Sequence, residues 1–228
     1  MKRRDAFRAL AGLGLIACDT RKPHKGALGA SEGFNEKIEG VLLSDRAASE
    51  DLELTPFDAF PGYHVAPATP EVPSDWSLFV GGMVARPLKL SLEDLRRLPR
   101  IGSRIRHHCV EGWTAVADWG GVSIAELAKL AGAKETAYVE LRSFDAPSFT
   151  SRGYWSSWDR ASAFHPQTMV AYEMNGQPLS AKHGAPCRLY GSVKLGYKMV
   201  KYLTEINFLD RRTGGYWENQ GYEWFAGV

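Results

Sequence analysis

Arg106-His107-His108-Cys109-Val110-Glu111-Gly112-Trp113, continuing through Thr114-Ala115-Val116-Ala117-Asp118 to Trp119-Gly120-Gly121, is the stretch on which the reading of this chain turns. It sets one thiol among imidazoles and an arginine, with glycines close behind. Cationic neighbours stabilise a thiolate, the form of cysteine that acts as nucleophile or metal ligand. Three readings of Cys109 follow. Base rates favour a small buried thiol, the commonest role of a free cysteine. Against that, Arg106, His107 and His108 make a polar approach to a core position, and polar groups buried without partners cost free energy. A nucleophilic cysteine is the second reading, but its histidine base is brought up in space, so neighbouring imidazoles in sequence are no evidence for one. The third is a metal-bound thiolate. Zinc asks for several Cys or His ligands at loop-like spacings, and this is the single Cys-His cluster in the chain, which disfavours zinc.

A second block lies further on, where Asn175-Gly176-Gln177-Pro178-Leu179 is followed by Lys182-His183-Gly184-Ala185-Pro186-Cys187-Arg188-Leu189 and Gly196-Tyr197-Lys198-Met199-Val200-Lys201. Glycine turns and cations converge on it. Arginine presents a fork matched to phosphate oxygens, and exposed amides near glycines are further anion donors. A solvated basic loop is the bland alternative.

Cys-Val-Glu-Gly-Trp with Trp-Gly-Gly behind it, then Asn-Gly-x-Pro-Leu, His-Gly-x-Pro-x-Arg and Gly-Tyr-Lys in that order, resemble the sulfite oxidase family of molybdopterin-dependent oxidoreductases. Within that family the likeness is to the small bacterial branch that includes the catalytic subunit of periplasmic methionine sulfoxide reductase. It covers residues 55–228. The resemblance implies a mixed, strand-rich α+β fold of one molybdopterin-binding domain, with Cys109 as the protein ligand to molybdenum; a soft thiolate suits such a redox-active metal. It further implies that His183 and Arg188 bind the pterin and its phosphate, and that Lys201 with Gly196 and the Met199-Val200 backbone completes the phosphate cradle. Phe60, Tyr63 and His64 are candidates from an arm that reaches the pterin, although the family's usual Asn or Arg is not evident there. A hydrophobic arm packed on the domain accounts for them as well. Ser143 sits about where the family places a Thr or Ser near the pterin, and a hydroxyl capping a strand-end turn is its alternative. His107 joins the cofactor-binding candidates. Arg106 and His108 are the catalytic candidates beside Cys109, and Arg152 is a further source of charge near the metal. Cys187 falls where the family has an apolar residue and reads as core.

The activity implied is oxygen-atom transfer at molybdenum on a small S- or N-oxide, or a sulfite-like substrate. No Cys-x-x-Cys-His haem attachment occurs in the sequence, so electrons are exchanged with a separate protein, a membrane haem protein in close relatives. A monomeric catalytic subunit is implied, because the chain ends before the dimerisation domain of the larger sulfite oxidases. Two other classes stand beside this reading: a Cys-His hydrolase with Cys109 as nucleophile and His108 as base, and a cofactor-free envelope lipoprotein acting as a binding module.

Composition narrows the field. The chain has 228 residues, 44% hydrophobic and 24% charged, enough for one domain with a sizeable core. Its 28 basic and 26 acidic residues leave a net charge of +2, too little for a nucleic-acid partner to be expected. Three cysteines, at positions 18, 109 and 187, are no disulfide framework. Residues 1–18 read as an export signal: Lys2-Arg3-Arg4 is basic, Ala9 to Ala17 is apolar, and the Arg3-Arg4 pair resembles a twin-arginine signal. Leu15-Ile16-Ala17-Cys18 resembles a lipoprotein box, which would lipidate Cys18 and place the protein in the periplasm or envelope, held to a membrane face. Residues 19–54, charged and without apolar periodicity, read as a linker or arm.

Within residues 55–228 the expected elements are a strand over 76–84 broken by a glycine turn, a connection over 87–90, and a capped helix from Ser91 that Pro99 stops. A strand over 104–110 delivers Cys109, Gly120-Gly121 turn into a helix over 123–131, and strands follow over 137–141 and 204–209. Residues 146–158, rich in Ser, Arg and aromatics including Tyr154 and Trp155, read as a loop that walls a pocket or covers the surface. The aromatic tail over 214–225 is expected to dock back on the domain.

Overall fold

The computed structural model describes residues 27–42, 52–146 and 153–228. The leader with Arg3, Arg4 and Cys18 lies outside them, as does Arg152. In chain order the elements are α1 (Ala27–Leu42), β1 (Leu78–Gly82), β2 (Leu88–Leu90), α2 (Leu92–Arg97), β3 (Ile101–His108), β4 (Thr114–Ser123), α3 (Ile124–Ala131), β5 (Tyr138–Ser143), β6 (Trp155–Asp159), α4 (Arg160–Ala163), β7 (Met169–Met174), β8 (Gln177–Pro178), β9 (Arg188–Tyr190) and β10 (Leu203–Leu209). One sheet runs β2-β1-β10-β5-β6; the other runs β3-β4-β7-β8, with β9 also on β7. The β1–β10 pair is parallel, joining strands from opposite ends of the domain. Every other pairing of these strands is antiparallel.

Local chemistry fixes the short helices. Ser91 and Asp94 form a reciprocal capping box at the start of α2, and Ser123 caps α3, which ends on left-handed Gly132. Two cores result. The larger joins β1, β5, β10 and α3 through Leu78, Val80, Leu127, Val139, Leu141, Ile206 and Phe208. The smaller lies on the other face of the second sheet, where Ile105, Trp119, Met169, Ala171 and Tyr190 are covered by Phe60 from the arm. The middle of the second sheet is therefore buried on both faces, and β7 is a near-continuous apolar run, whereas the edge strand β3 alternates buried and exposed positions.

Four local expectations change. Residues 155–158, expected in a loop, form most of strand β6, which pairs with β5. Residues 87–90 are not a bare connection, because Leu88–Leu90 is the edge strand β2. Gly120-Gly121 do not turn the chain: β4 runs straight through them, with a bulge between the two. A Cβ on Gly121 would sit 2.0 Å from the Val170 carbonyl, so glycine there serves the close approach of β7. The arm over 19–54 contains the helix α1, tied to the domain by Glu36 and Arg212 at 2.9 Å. The tail docks as expected. Trp224 Nε1 donates to Ser157 Oγ at 2.8 Å, and Lys194 stands over the Phe225 ring.

Candidate active site

Strand alternation decides which of the three basic residues before Cys109 turns inward. On β3 the buried positions are Ser103, Ile105 and His107, whereas Arg106 is exposed and His108 only half-buried. The strand ends at His108, paired with Thr114, and the chain reverses through 109–113. Two backbone bonds hold this tip: Cys109 N–H to the Trp113 carbonyl at 3.1 Å, and Gly112 N–H to the Cys109 carbonyl at 3.0 Å. Cys109 is half-buried, its Sγ 4.0 Å from Glu111 Oε2, and Glu111 also accepts from Trp113 Nε1 at 3.0 Å.

The tip overhangs a cleft of about 340 Å³. Phe60, Tyr63, His64, His107, Cys109, Arg188, Gly196, Met199 and Lys201 all line it, so segments far apart in sequence meet in one place. Arg106, His108, Ser143, His183 and Val200 are not among its lining residues. Two of these support the wall from behind. His183 is buried, hydrogen-bonds Ser180 Oγ and the Phe60 carbonyl, and stacks edge-on against Phe57, fixing the arm. Ser143 Oγ accepts from the Asp145 amide at 2.8 Å. Asp145 in turn accepts from the Val65 and Ala66 amides, each at 2.9 Å, pinning the arm just past His64. Val200 is buried in the larger core.

The charges divide sharply. Arg188 is buried, with its guanidinium donating to the His183 carbonyl at 3.1 Å and lying 5.2 and 5.1 Å from the Trp119 and Tyr190 ring centres. Its hydrogen-bond partners among the described residues are carbonyl oxygens, with no carboxylate to balance it. Burial lowers its pKa to about 10. Lys201, whose ammonium donates to the Lys182 carbonyl at 3.1 Å, is lowered to about 7 by burial and then by the Arg188 charge. Two cations thus crowd one side of the cleft, an arrangement that an anion would relieve.

The Cys109 side differs. Burial, and with it the Glu111 carboxylate, push the thiol above its ordinary value, opposed by backbone hydrogen bonds from Glu111 and Val110. Cationic activation, expected from the sequence, is absent because Arg106 and His108 turn away. His107 is inward but held neutral, lowered to about 3 by burial and then by Arg188 and His108. It hydrogen-bonds Tyr190 Oη through Nδ1 at 2.8 Å and stacks on Trp113. Cys187 is fully buried and belongs to the larger core, as expected.

Several lining residues carry no role in the sequence reading: Glu111 and Trp113 at the tip, Asp145, Tyr197, and Trp217 with Tyr222 from the tail. Tyr154 also lines the cleft, so part of the 146–158 segment does wall the pocket. Glu111 and Trp113 had a signal, their place beside Cys109. The tail's aromatics signalled docking but not its place, which partners outside the tail decide, such as Lys198 for Glu218 and Ser157 for Trp224.

Among the described residues no group of three or more His, Cys, Asp or Glu could hold a metal ion. A metal at Cys109 would have to bring most of its other ligands with it. No described helix is long and apolar enough to cross a membrane.

Comparison with known proteins bears on this geometry. Residues 65–217 match the family described as oxidoreductase molybdopterin binding domain. The chain is 34% identical to a putative protein-methionine-sulfoxide reductase subunit, YedZ1, of Azospira oryzae, over 96% of this chain and 84% of that protein. It is 33% identical to the protein-methionine-sulfoxide reductase catalytic subunit MsrP of Xanthomonas axonopodis pv. citri, over 64% of this chain and 48% of that protein. The chain therefore spans about half the length of that relative. Among solved structures, the sulfane dehydrogenase SoxCD of Paracoccus pantotrophus superposes with a TM-score of 0.57 at 21% identity, over 78% of this chain and 53% of that one. That likeness is one of fold.

Proposed function

The chain belongs to the family of oxidoreductases with a molybdopterin-binding domain, and from that premise we propose that it transfers an oxygen atom to or from a small S- or N-oxide at a molybdenum-molybdopterin cofactor. One observation carries the reading. A lone half-buried thiol and a buried arginine without a carboxylate partner among the described residues face one cleft. The donor set fits a group that needs one soft protein ligand and carries its own anion. When bound, such a cofactor supplies a metal centre that exchanges one oxygen atom and two electrons with the substrate.

Each residue then has a task. Cys109 is the thiolate ligand; a coordinating cation deprotonates a thiol outright, so the raised thiol pKa is no obstacle. Arg188 and Lys201, with backbone near Gly196 and Met199, hold the phosphate. His107, uncharged and fixed by Tyr190, orients without adding charge, while Phe60, Tyr63 and His64 close the arm side. His183 and Ser143 act as supports of that arm. For a sulfoxide the balance is one sulfoxide, two electrons and two protons giving one sulfide and one water. The electrons come from a separate redox protein, a haem protein of the membrane. The words "subunit" and "catalytic subunit" in the relatives' names support a partner. The Arg3-Arg4 leader and Cys18 fit export of a loaded, folded protein and lipid anchoring. The hydrolase alternative lacks support, since Cys109 Sγ meets Glu111 rather than an imidazole.

The test is metal and pterin analysis of protein made in a cofactor-competent host, with turnover assayed using a reduced dye as donor. Molybdenum and pterin should be present in the wild type and depleted in Arg188→Ala, and dye oxidation should depend on added sulfoxide. Folded wild-type protein without molybdenum from such a host would sink the proposal.

A further inference from the structure

The cleft's cations and its thiol come from different segments, and the charged side chain in contact with the thiol is a carboxylate. Arg188 and Lys201 belong to the 184–201 side, where their own crowding calls for an anion. At the tip, Glu111 Oε2 is 4.0 Å from Cys109 Sγ and is held there by Trp113 Nε1 at 3.0 Å. Arg106, the residue before His107 on the strand, is exposed on the outer face. Around the carboxylate are rings: Trp113 stacks on His107 and lies 6.1 Å from Tyr63. The charged side chain in contact with Cys109 is thus a carboxylate held by Trp113, while the described lining cations, Arg188 and Lys201, come from another segment and donate to carbonyl oxygens.

Resting on the molybdopterin reading of the cleft, we propose that Glu111 is a specificity-determining residue: it makes the approach to Cys109 accept uncharged or cationic organic S-oxides and reject oxyanions such as sulfite. An anion entering beside Glu111 meets a like charge, a repulsive element of the kind that sets specificity more than affinity, and Arg188 and Lys201 are taken up by the cofactor phosphate in the proposed reading. An alkyl sulfoxide has no net charge, so it meets no such repulsion and loses less hydration than an anion, while its alkyl groups pack on the Trp113 and Tyr63 rings. The four features that matter, Cys109, Glu111, Trp113 and Tyr63, come from two segments, the tip and the arm.

The experiment uses loaded enzyme, a reduced dye, and three capped tripeptides with methionine sulfoxide at the centre and Lys, Gly or Asp at the flanks, plus sulfite with an oxidised dye. Wild-type kcat/KM should fall in the order Lys, Gly, Asp, with sulfite a poor substrate. Glu111→Gln should shrink the Lys-to-Asp ratio about three- to tenfold, mainly through KM for the Asp peptide. Added salt should shrink the ratio in wild type and leave it nearly unchanged in the variant. Binding of the matching sulfones, which do not turn over, should follow the same order by calorimetry, and Glu111→Asp should restore it. A ratio equal in wild type and Glu111→Gln, or a wild type that prefers the Asp peptide, overturns the proposal. If Glu111→Gln fails to load molybdenum, the wild-type order and its salt dependence still decide. Failure of the underlying reading looks different: no molybdenum, and no turnover of any peptide.

Discussion

The two walls of the cleft are built on opposite principles. The Cys109 tip is a short reversal with two backbone bonds, an exposed Val110, and open space on the side of Gly112 where a side chain would stand. The 184–201 wall is core: Arg188 is locked to carbonyls, and Lys198, fully buried, donates to the Ser157 carbonyl at 2.9 Å and pairs with Glu218. The contrast teaches where stability and chemistry have been separated. The thiol proposed to meet a metal sits where changes should disturb the fold little, while the arginine proposed to hold an anion is buried where changes should disturb it much.

The sharpest way to break this contrast is at the tip. Cys109→Ser should cut turnover by on the order of a thousandfold or more, because a hard oxygen replaces a soft ligand. It should cost at most about 1 kcal/mol of stability, since the site is only half-buried and the change nearly isosteric. Dye-linked turnover and urea unfolding measure both. Retained activity would remove the ligand assignment, and unfolding would remove the contrast.

The converse test is on the wall. Lys198→Met strands a buried Glu218 carboxylate, and about 3–5 kcal/mol should be lost in urea unfolding. The double variant Lys198→Met with Glu218→Leu should lose less than Lys198→Met alone, because neither charge is then left uncompensated. Since Glu218 adjoins Trp217, which lines the cleft, substrate KM should also rise in the single variant. A single variant as stable as wild type would show that this wall is no more constrained than the tip.

Much of this was legible in the sequence because both walls carry local motifs. Cys109 through Trp113 and His183 through Lys201 announce themselves, and the structure brings them to one cleft. The inward face of β3 was legible too, in principle: period-two alternation from buried Ile105 puts His107 in and Arg106 and His108 out. The polarity of all three residues hides that rhythm. What could not be read locally is what depends on distant partners. Gly120-Gly121 look like a turn until β7 is seen against them, and where the tail's aromatics dock depends on partners outside the tail, among them Lys198 for Glu218 and Ser157 for Trp224. Helix α1 was legible in principle, since Phe34, Ile38, Val41 and Leu42 stand at helical spacing among charged and small residues, although the structure leaves all four exposed.

A gentler probe of the wall uses pH. Lys201 is lowered to about 7, below its ordinary 10.5, first by burial. Between those values the unfolded chain binds a proton that the native chain has released, so stability of the cofactor-free protein should rise with pH across that window. Below about 7 both states are protonated and the cost of burying the charge is fully present. Allowing for partial exposure, the rise attributable to Lys201 should be on the order of 1–2 kcal/mol, and Lys201→Met should abolish it. Unfolding curves at several pH values decide, and an identical pH slope in the variant would mean that Lys201 is not the group responsible.

The smallest effect expected, at Gly112, belongs to a pair of substitutions that separates the two walls most cleanly, because each adds one methyl group. Gly112 at the tip and Gly184 on the wall both hold left-handed backbone, with φ of 87° and 98°. A side chain is strained in that conformation at either place, by about 1 kcal/mol. At Gly112 nothing lies within 4 Å of the added Cβ, so Gly112→Ala should cost that amount and no more. At Gly184 the added Cβ would stand 2.8 Å from the Lys201 Cβ, so overpacking adds about 1–3 kcal/mol and pushes on the residue proposed to hold the phosphate. Gly184→Ala should therefore lower molybdenum content as well as stability, while Gly112→Ala leaves molybdenum content unchanged. Equal losses in the two variants would mean that the tip is packed as tightly as the wall.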